Sequence, residues 1–285
     1  MNRTKIEWVR NPDGSPGYTF NPITGCLNHI DGLCKGGNFP CYAYKLAYGR
    51  LRQRYLANDN ISQERIWING EPNKAGTALI LTDPFYPRFW PSRLWDTYVK
   101  KPSGIFVCDM GELFGDWLPS QWQDAIFENI RCNPQHRFYL LTKQPQNLIK
   151  FSPFPENCFV GVTVTRFQWL TIACENLRDI DAKIKFLSFE PLFERMNVSF
   201  SPNTLLYQLT GIDWVIIGAQ TKPYKPPKIE WVEEIVRACD KAGVPVFLKD
   251  NLWPLFDGSK YAVPLWAFDK ESKLRQEIPV ETDKA

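Results

Sequence analysis

Short apolar runs recur along this chain, and nearly every one stops at polar or ionisable residues. The run at 77–81 stops at Thr82-Asp83-Pro84, the run at 105–108 at Asp109-Met110-Gly111-Glu112, and the run at 138–141 at Thr142-Lys143. Further on, 159–164 stops at Thr165-Arg166, 184–188 at Phe189-Glu190-Pro191, 214–217 at Gly218-Ala219-Gln220, and 244–248 at Lys249-Asp250. Runs this short and this apolar suit strands buried on both faces. Between them, residues 119–132 and 230–242 repeat apolar positions at the helical period, with Pro119-Ser120 as a start signal and Gly243 as a stop. Residues 144–151 and 168–178 are shorter versions. Alternating β and α units imply a parallel sheet. With Tyr18–Phe20 as the first strand there are about eight such units, which predicts an α/β fold, a (β/α) barrel of TIM or partial-TIM type. An open doubly wound sheet is the alternative, but no Gly-x-Gly-x-x-Gly turn follows any run.

The chain has 285 residues, enough for one barrel domain of roughly 250. The expected organisation is a single domain over 1–267, with a cysteine-bearing loop at 26–41, and a charged tail at 268–285. No apolar run reaches the roughly 18 residues of a membrane span, and the first residues lack the apolar core of a signal peptide. A cytoplasmic protein with no membrane partner is expected. A net charge of +3 is too small to imply nucleic acid by itself. Five of the eight cysteines (Cys108, Cys132, Cys158, Cys174, Cys239) lie among apolar or helical residues and read as single thiols in a reducing compartment rather than a disulfide framework.

In a parallel barrel the polar strand ends crowd one mouth. Strand ends turn polar wherever they leave a core, but here the set converges with three further cysteines and favours a site. A lysine among carboxylates serves as anion binder, proton donor or salt-bridge partner. Lys143, Glu190 and Lys249 are the candidate catalytic residues. Asp109, Glu112 and Glu190 also allow acid–base hydrolysis, although no Gly-x-Ser-x-Gly nucleophile motif is present. Phe85, Tyr86, Trp90 and Trp253 suit either packing or stacking on a planar ligand.

Those three cysteines, Cys26, Cys34 and Cys41, follow a short strand-like stretch and precede a helix running to about Arg54, whose basic face (Lys45, Arg50, Arg52, Arg54) reads as solvated. Their spacing is C-x7-C-x6-C. Thiolates select iron–sulfur clusters, zinc or copper(I). Three readings stay open on the residues alone: a three-thiolate cluster with an open iron, zinc with His29 as fourth ligand, or three unliganded thiols.

The segment FNPITGC…C…CYAYKLA resembles the phage-type three-cysteine-motif family, which is related to radical S-adenosylmethionine proteins of the spore photoproduct lyase-like branch. LILTDPFYP, FVCDMGELFGDWLP, HRFYLLTKQPQNL, FVGVTV, FLSFEPL, DWVIIGAQ and AGVPVFLK are similar to family blocks in the expected order, from about Thr4 to Leu255. The resemblance implies a [4Fe–4S] cluster on Cys26, Cys34 and Cys41, with S-adenosyl-L-methionine at the open iron. It also implies an electron donor, and hydrogen abstraction from a substrate such as a nucleic acid or nucleotide. It makes Thr82, Asp83, Asp109 and Ser188 the candidate cofactor-binding residues, Thr82 and Asp83 near the methionine end, Ser188 with Glu190 near the ribose or substrate. The spacing is wider than the C-x3-C-x2-C usual in radical enzymes, and loop closure cost grows only slowly with length. The competing expectation is a non-catalytic protein, stabilised by zinc or a cluster and acting with a partner encoded nearby.

Overall fold

The computed structural model describes residues 1–63, 67–68, 71–72, 80–196, 204–256 and 264–279. The fold is mixed α/β with mainly parallel strands. The chain separates into two compact units, one formed by Met1–Lys5 and Val9–Asn147, the other by Ile6–Trp8 and Leu148–Ala285.

In the first unit the strand Gly104–Val107 runs parallel to Tyr18–Phe20 on one side and to Arg137–Thr142 on the other, with Ile105 opposite both Tyr18 and Phe138. Asn2–Arg3 adds an antiparallel strand on Tyr18–Thr19. All four residues of Gly104–Val107 are buried, as a strand covered on both faces requires. The helix Ser120–Arg131 buries Trp122, Ile126, Phe127 and Ile130. Their spacing of three to four residues puts them on one stripe.

In the second unit Cys158–Thr163, Ile184–Phe189, Trp214–Ile217 and Val246–Leu248 run parallel in that order. Side chains alternate across a strand, so Phe186, Trp214 and Phe247 share a face. Trp8 packs there, its ring 6.0 Å from Phe186 and 6.2 Å from Trp214. Gly161 makes room for the Phe186 ring, which lies 2.4 Å from where a β-carbon would stand. The helix Ile229–Ala242 ends on Gly243 in the left-handed conformation, φ 69°, the usual use of glycine at that position.

Several expectations change. Of the run at 77–81, residues 77–79 lie outside the described residues, and Ile80–Thr82 are helical rather than extended. An apolar stretch this short does not distinguish the two conformations. The predicted helix after Cys41 breaks at Gly49 into Tyr42–Tyr48 and Arg52–Leu56. Residues 268–279, expected as a charged tail, dock on the edge strand. Leu248 N–H donates to Arg275 O at 2.7 Å, Glu277 N–H to Val246 O at 3.0 Å, and Trp214 Nε1–H to Glu277 O at 2.8 Å. No described helix is long and apolar enough to cross a membrane.

Candidate functional site

The stretch between Cys26 and Cys41 is a hydrogen-bonded ribbon. His29–Ile30, Leu33–Cys34 and Phe39–Pro40 form an antiparallel meander in which Cys34 lies opposite both His29 and Phe39. Asp31 and Gly32 make its first turn with φ of 47° and 80°. Two consecutive positive values are what a two-residue hairpin of matching twist needs, and Asp-Gly is a favoured pair for it. Asn38 N–H donates to Cys34 O at 2.7 Å, and Cys41 N–H to Gly32 O at 2.8 Å. Cys41 then opens the helix, its carbonyl accepting from Lys45 N–H at 3.1 Å.

Cys26 is fixed by close backbone approach. Gly25 N–H donates to Met110 O at 2.9 Å, and Cys26 N–H to Phe85 O at 3.1 Å. Gly25 has φ 91°, and a β-carbon there would stand 2.5 Å from Phe85 O and 2.6 Å from Tyr86 O. Gly111 pairs with Gly25 in a parallel bridge. The Phe85–Tyr86 backbone is held by Arg88, fully buried, which donates to the carbonyls of Asn58 (3.0 Å), Asp83 (2.8 Å) and Tyr86 (2.8 Å).

All three thiols are free and partly buried. Burial pushes Cys26 well above the ordinary thiol range, and negative charge on Glu112, Cys34 and Cys41 pushes the same way. Burial also raises Cys41, with Cys34 adding to it, against the Tyr44 and Ala43 N–H groups and Lys143. Metal coordination removes such protons outright. Among the described residues no three His, Cys, Asp or Glu side chains form a group that could hold a metal ion. A single tetrahedral ion at about 2.3 Å from each sulfur would need the sulfurs about 3.8 Å apart. Three thiols on one short stretch are a soft donor set, which iron–sulfur clusters and zinc both take. His29 is engaged elsewhere: its Nδ1 accepts from Gly32 N–H at 3.4 Å, and its ring packs 5.1 Å from Tyr44 and 5.4 Å from Phe85. Burial lowers its pKa.

Lys143 lies along this ribbon. A β-carbon on Gly36 would come within 2.8 Å of Lys143 Cδ, and Lys143 Nζ sits 5.9 Å from the Phe39 ring centre. The adjoining Glu112 is buried. Its Oε1 accepts from Thr142 Oγ1 at 2.7 Å and Phe114 N–H at 3.1 Å, and its Oε2 from Lys143 N–H at 3.3 Å. Burial raises its pKa against these donors. Asp109 accepts from Asn21 Nδ2 at 2.6 Å, and its carbonyl accepts from Tyr42 OH. Burial raises the Asp109 carboxyl, opposed first by the Asn21 hydrogen bond. Cys108 before it has φ 60°, and burial pushes its thiol up to about 12. Asp83 closes a turn, its Oδ1 accepting from Phe85 N–H at 2.7 Å and Tyr48 OH at 3.1 Å. Thr82 is exposed.

The second unit holds its own polar cluster. Lys249, buried, pairs with Glu190 and lies 3.6 Å from Glu7 Oε2. Burial alone would pull the lysine down, but Glu190 and Glu7 outweigh it and hold its pKa above the ordinary value. Gly218 admits the pair, with Lys249 Cδ 2.9 Å and Glu190 Cγ 3.2 Å from a β-carbon position. Thr163 and Ser188 stand opposite one another on neighbouring strands. Both are buried, and neither hydroxyl has a hydrogen-bond partner among the described residues.

Residues 3–259 match the family model described as Protein of unknown function (DUF5131). The chain belongs to the DUF5131 family. No curated protein matches it. Among solved structures, spore photoproduct lyase complexed with dinucleoside spore photoproduct is similar to this DUF5131 protein at TM-score 0.41 and 11% identity. The match covers 82% of this chain, which spans only 63% of that one.

Of the sequence candidates, this DUF5131 protein gathers Cys26, Cys34, Cys41 and Lys143 in the first unit, and Glu190, Lys249 and Ser188 at one end of the second unit's sheet. Asp83 is committed to a turn, and Asp109 to the side-chain amide of Asn21, in the first unit. Sequence reasoning left Glu7 and Arg88 out of the candidate site and gave Glu112 only an acid–base role. Glu112 carried a signal, as an acid just past a strand end, whereas Glu7 and Arg88 carried none. The Asp31-Gly32 pair between Ile30 and Leu33 announced the ribbon.

Proposed function

We propose that this protein is a radical S-adenosylmethionine iron–sulfur enzyme, with Cys26, Cys34 and Cys41 holding a [4Fe–4S] cluster. The observation that carries this is three free, partly buried thiols borne on one short hydrogen-bonded stretch, with charge on Cys34 and Cys41 raising the Cys26 thiol. The resemblance to the three-cysteine-motif family, a barrel-type arrangement of the parallel strands and a cytoplasmic setting belong to the same proposal. The chemistry this group supplies when bound is one-electron reduction of the cofactor's sulfonium, giving a 5′-deoxyadenosyl radical able to take hydrogen from a substrate. An external electron donor is therefore required.

The chain's own residues bind and orient. Gly25 and Arg88 fix the backbone that carries Cys26. Lys143, laid on the ribbon, offsets the negative charge gathered by three thiolates. Thr163 and Ser188 offer two buried hydroxyls to a polar ligand, and the Lys249–Glu190 pair sits at the same end of that sheet to bind or move a proton. Thr82, Asp83 and Asp109 are assigned to the cofactor only through the resemblance, and a nucleic acid or nucleotide is the substrate class it suggests. The non-catalytic zinc alternative would have to use His29 Nε2, since Nδ1 accepts from Gly32 N–H.

The test is metal and sulfide analysis with a visible spectrum on protein purified without oxygen. About four irons with matching sulfide are expected, and their loss in Cys34→Ala with the fold retained. Stoichiometric zinc without iron, or iron retained in Cys34→Ala, overturns the assignment.

A further inference from the structure

Positive charge in this chain is concentrated in one segment. From Gly32 to Asn58 there is no Asp or Glu, while Lys35, Lys45, Arg50, Arg52 and Arg54 give the segment +5. The whole chain carries only +3, so the remainder is net negative. The segment covers the second half of the cysteine ribbon and both helices that follow it. All five cations are exposed, and among the described residues none of them forms an ion pair. Some exposed cations elsewhere do find carboxylates, as Arg195 does with Glu234, Arg237 with Glu233 and Lys273 with Glu271. Asp31 and Asp59 bound the segment at its two ends, and Asp83 accepts from Tyr48 and Phe85.

Aromatic rings are interleaved with the charges. Tyr42 and Tyr48 are 53% and 43% exposed, yet their hydroxyls are tied, to Asp109 O and to Asp83 Oδ1. Tyr48 stacks on Tyr44 at 4.3 Å. These are rings held in place at a surface, at low entropic cost to a flat ligand. The apolar side of the helices is already used, with Ala43, Ala47 and Tyr55 packed in the unit's interior beside Leu46 and Leu51. What remains outside is cationic and aromatic, and three of the five cations are guanidiniums, whose planar fork matches phosphate.

We propose that the exposed face of residues 35–54 is a docking surface for the phosphodiester backbone of a nucleic acid, single-stranded where its bases reach Tyr42 and Tyr48. A cationic groove with aromatic platforms is the physical pattern of single-strand binding. An anionic lipid surface would also attract these charges, but it offers no flat rings to Tyr42 and Tyr48, and the helices have turned their apolar face inward. The proposal does not rest on the cluster, since the patch is formed by the folded chain itself.

The experiment is fluorescence anisotropy of a labelled 20-nucleotide single strand with the full-length, anaerobically purified protein, across a salt series. Five phosphate contacts predict a log–log salt slope of about −3.5. Arg50→Gln/Arg52→Gln/Arg54→Gln is expected to flatten that slope by about 2 and to weaken binding about 100-fold at 0.1 M salt. Arg50→Lys/Arg52→Lys/Arg54→Lys keeps the slope, which separates charge from folding. Lys100→Gln/Lys150→Gln/Lys270→Gln removes the same charge elsewhere and leaves binding within about 3-fold. Equal loss in both glutamine variants, a slope unchanged in the arginine variant, or capture by anionic vesicles but not by the single strand overturns the proposal. Iron content is measured on the same samples, so failure of the cluster assignment shows separately.

Discussion

Gly25→Ala tests how tightly the backbone fixes Cys26. Residue 25 has φ 91°, where an L-residue costs about 1–2 kcal/mol. Its new β-carbon would stand 2.5 Å from Phe85 O and 2.6 Å from Tyr86 O. Ordinary carbon–oxygen contacts begin near 3.3 Å, so the two segments must part by about 0.8 Å. Phe85 O is also the acceptor for Cys26 N–H at 3.1 Å, and Gly25 N–H is held by Met110 O at 2.9 Å. Losing or stretching these bonds costs about 1–3 kcal/mol more. The expected total is about 2–5 kcal/mol. Gly14→Ala supplies the control: φ there is 78° but nothing lies within 4 Å of the added carbon, so about 1 kcal/mol is expected. Urea unfolding followed by tryptophan fluorescence reads both. Equal costs for the two variants would refute the crowding at Gly25 and, with it, the account of how Cys26 is positioned.

Two further outcomes are expected. Glu112→Ala leaves the buried N–H groups of Phe114 and Lys143 and the Thr142 hydroxyl without their acceptor, at a cost of about 2–4 kcal/mol. Glu112→Gln, which keeps one carbonyl oxygen, costs less, and equal unfolding midpoints for the two would count against this. His136 is buried, its Nδ1 accepting from Ser103 N–H at 3.1 Å and its Nε2 2.8 Å from Thr97 O. Burial lowers its pKa below 6.5, so the unfolded chain binds the proton first. Stability is then full above about pH 6.5 and falls as pH drops, by at most about 1.4 kcal/mol per unit. Wild type should lose more than His136→Gln between about pH 7 and pH 5 in urea midpoints, and parallel losses would contradict the neutral assignment.

The sheet strands were legible because burial on both faces leaves an unmistakable apolar run. Gly104–Val107, Ile184–Phe189 and Trp214–Ile217 fall within one residue of their predicted bounds. The helices at 120–131 and 229–242 were legible from their apolar stripe. What failed was short or edge structure. Trp8, in a turn, packs against Phe186 and Trp214 with no local pattern to announce it. Residues 274–277 read as tail because Arg275 and Glu277 mask an alternation whose backbone pairs with Val246–Leu248. Within the candidate site the thiols and Lys143 were visible as residue types. Their supports were not, because a buried Arg88 serving only carbonyls, or a glycine pressed on a carbonyl, has no local sequence pattern.

The antiparallel ribbon between Cys26 and Cys41 also bears on the order of events during maturation. Joining the ends of a flexible loop of this length costs about 2–3 kcal/mol, and in a floppy loop the incoming metal would have to supply it. Here backbone hydrogen bonds from Asn38, Cys41 and Lys45 meet that cost as the chain folds. If the proposed cluster is held here, its donor scaffold would precede the metal, unlike small zinc modules in which metal and fold arrive together. Metal delivery would then be a late step on a finished protein, and loss of metal would leave a template ready to be refilled.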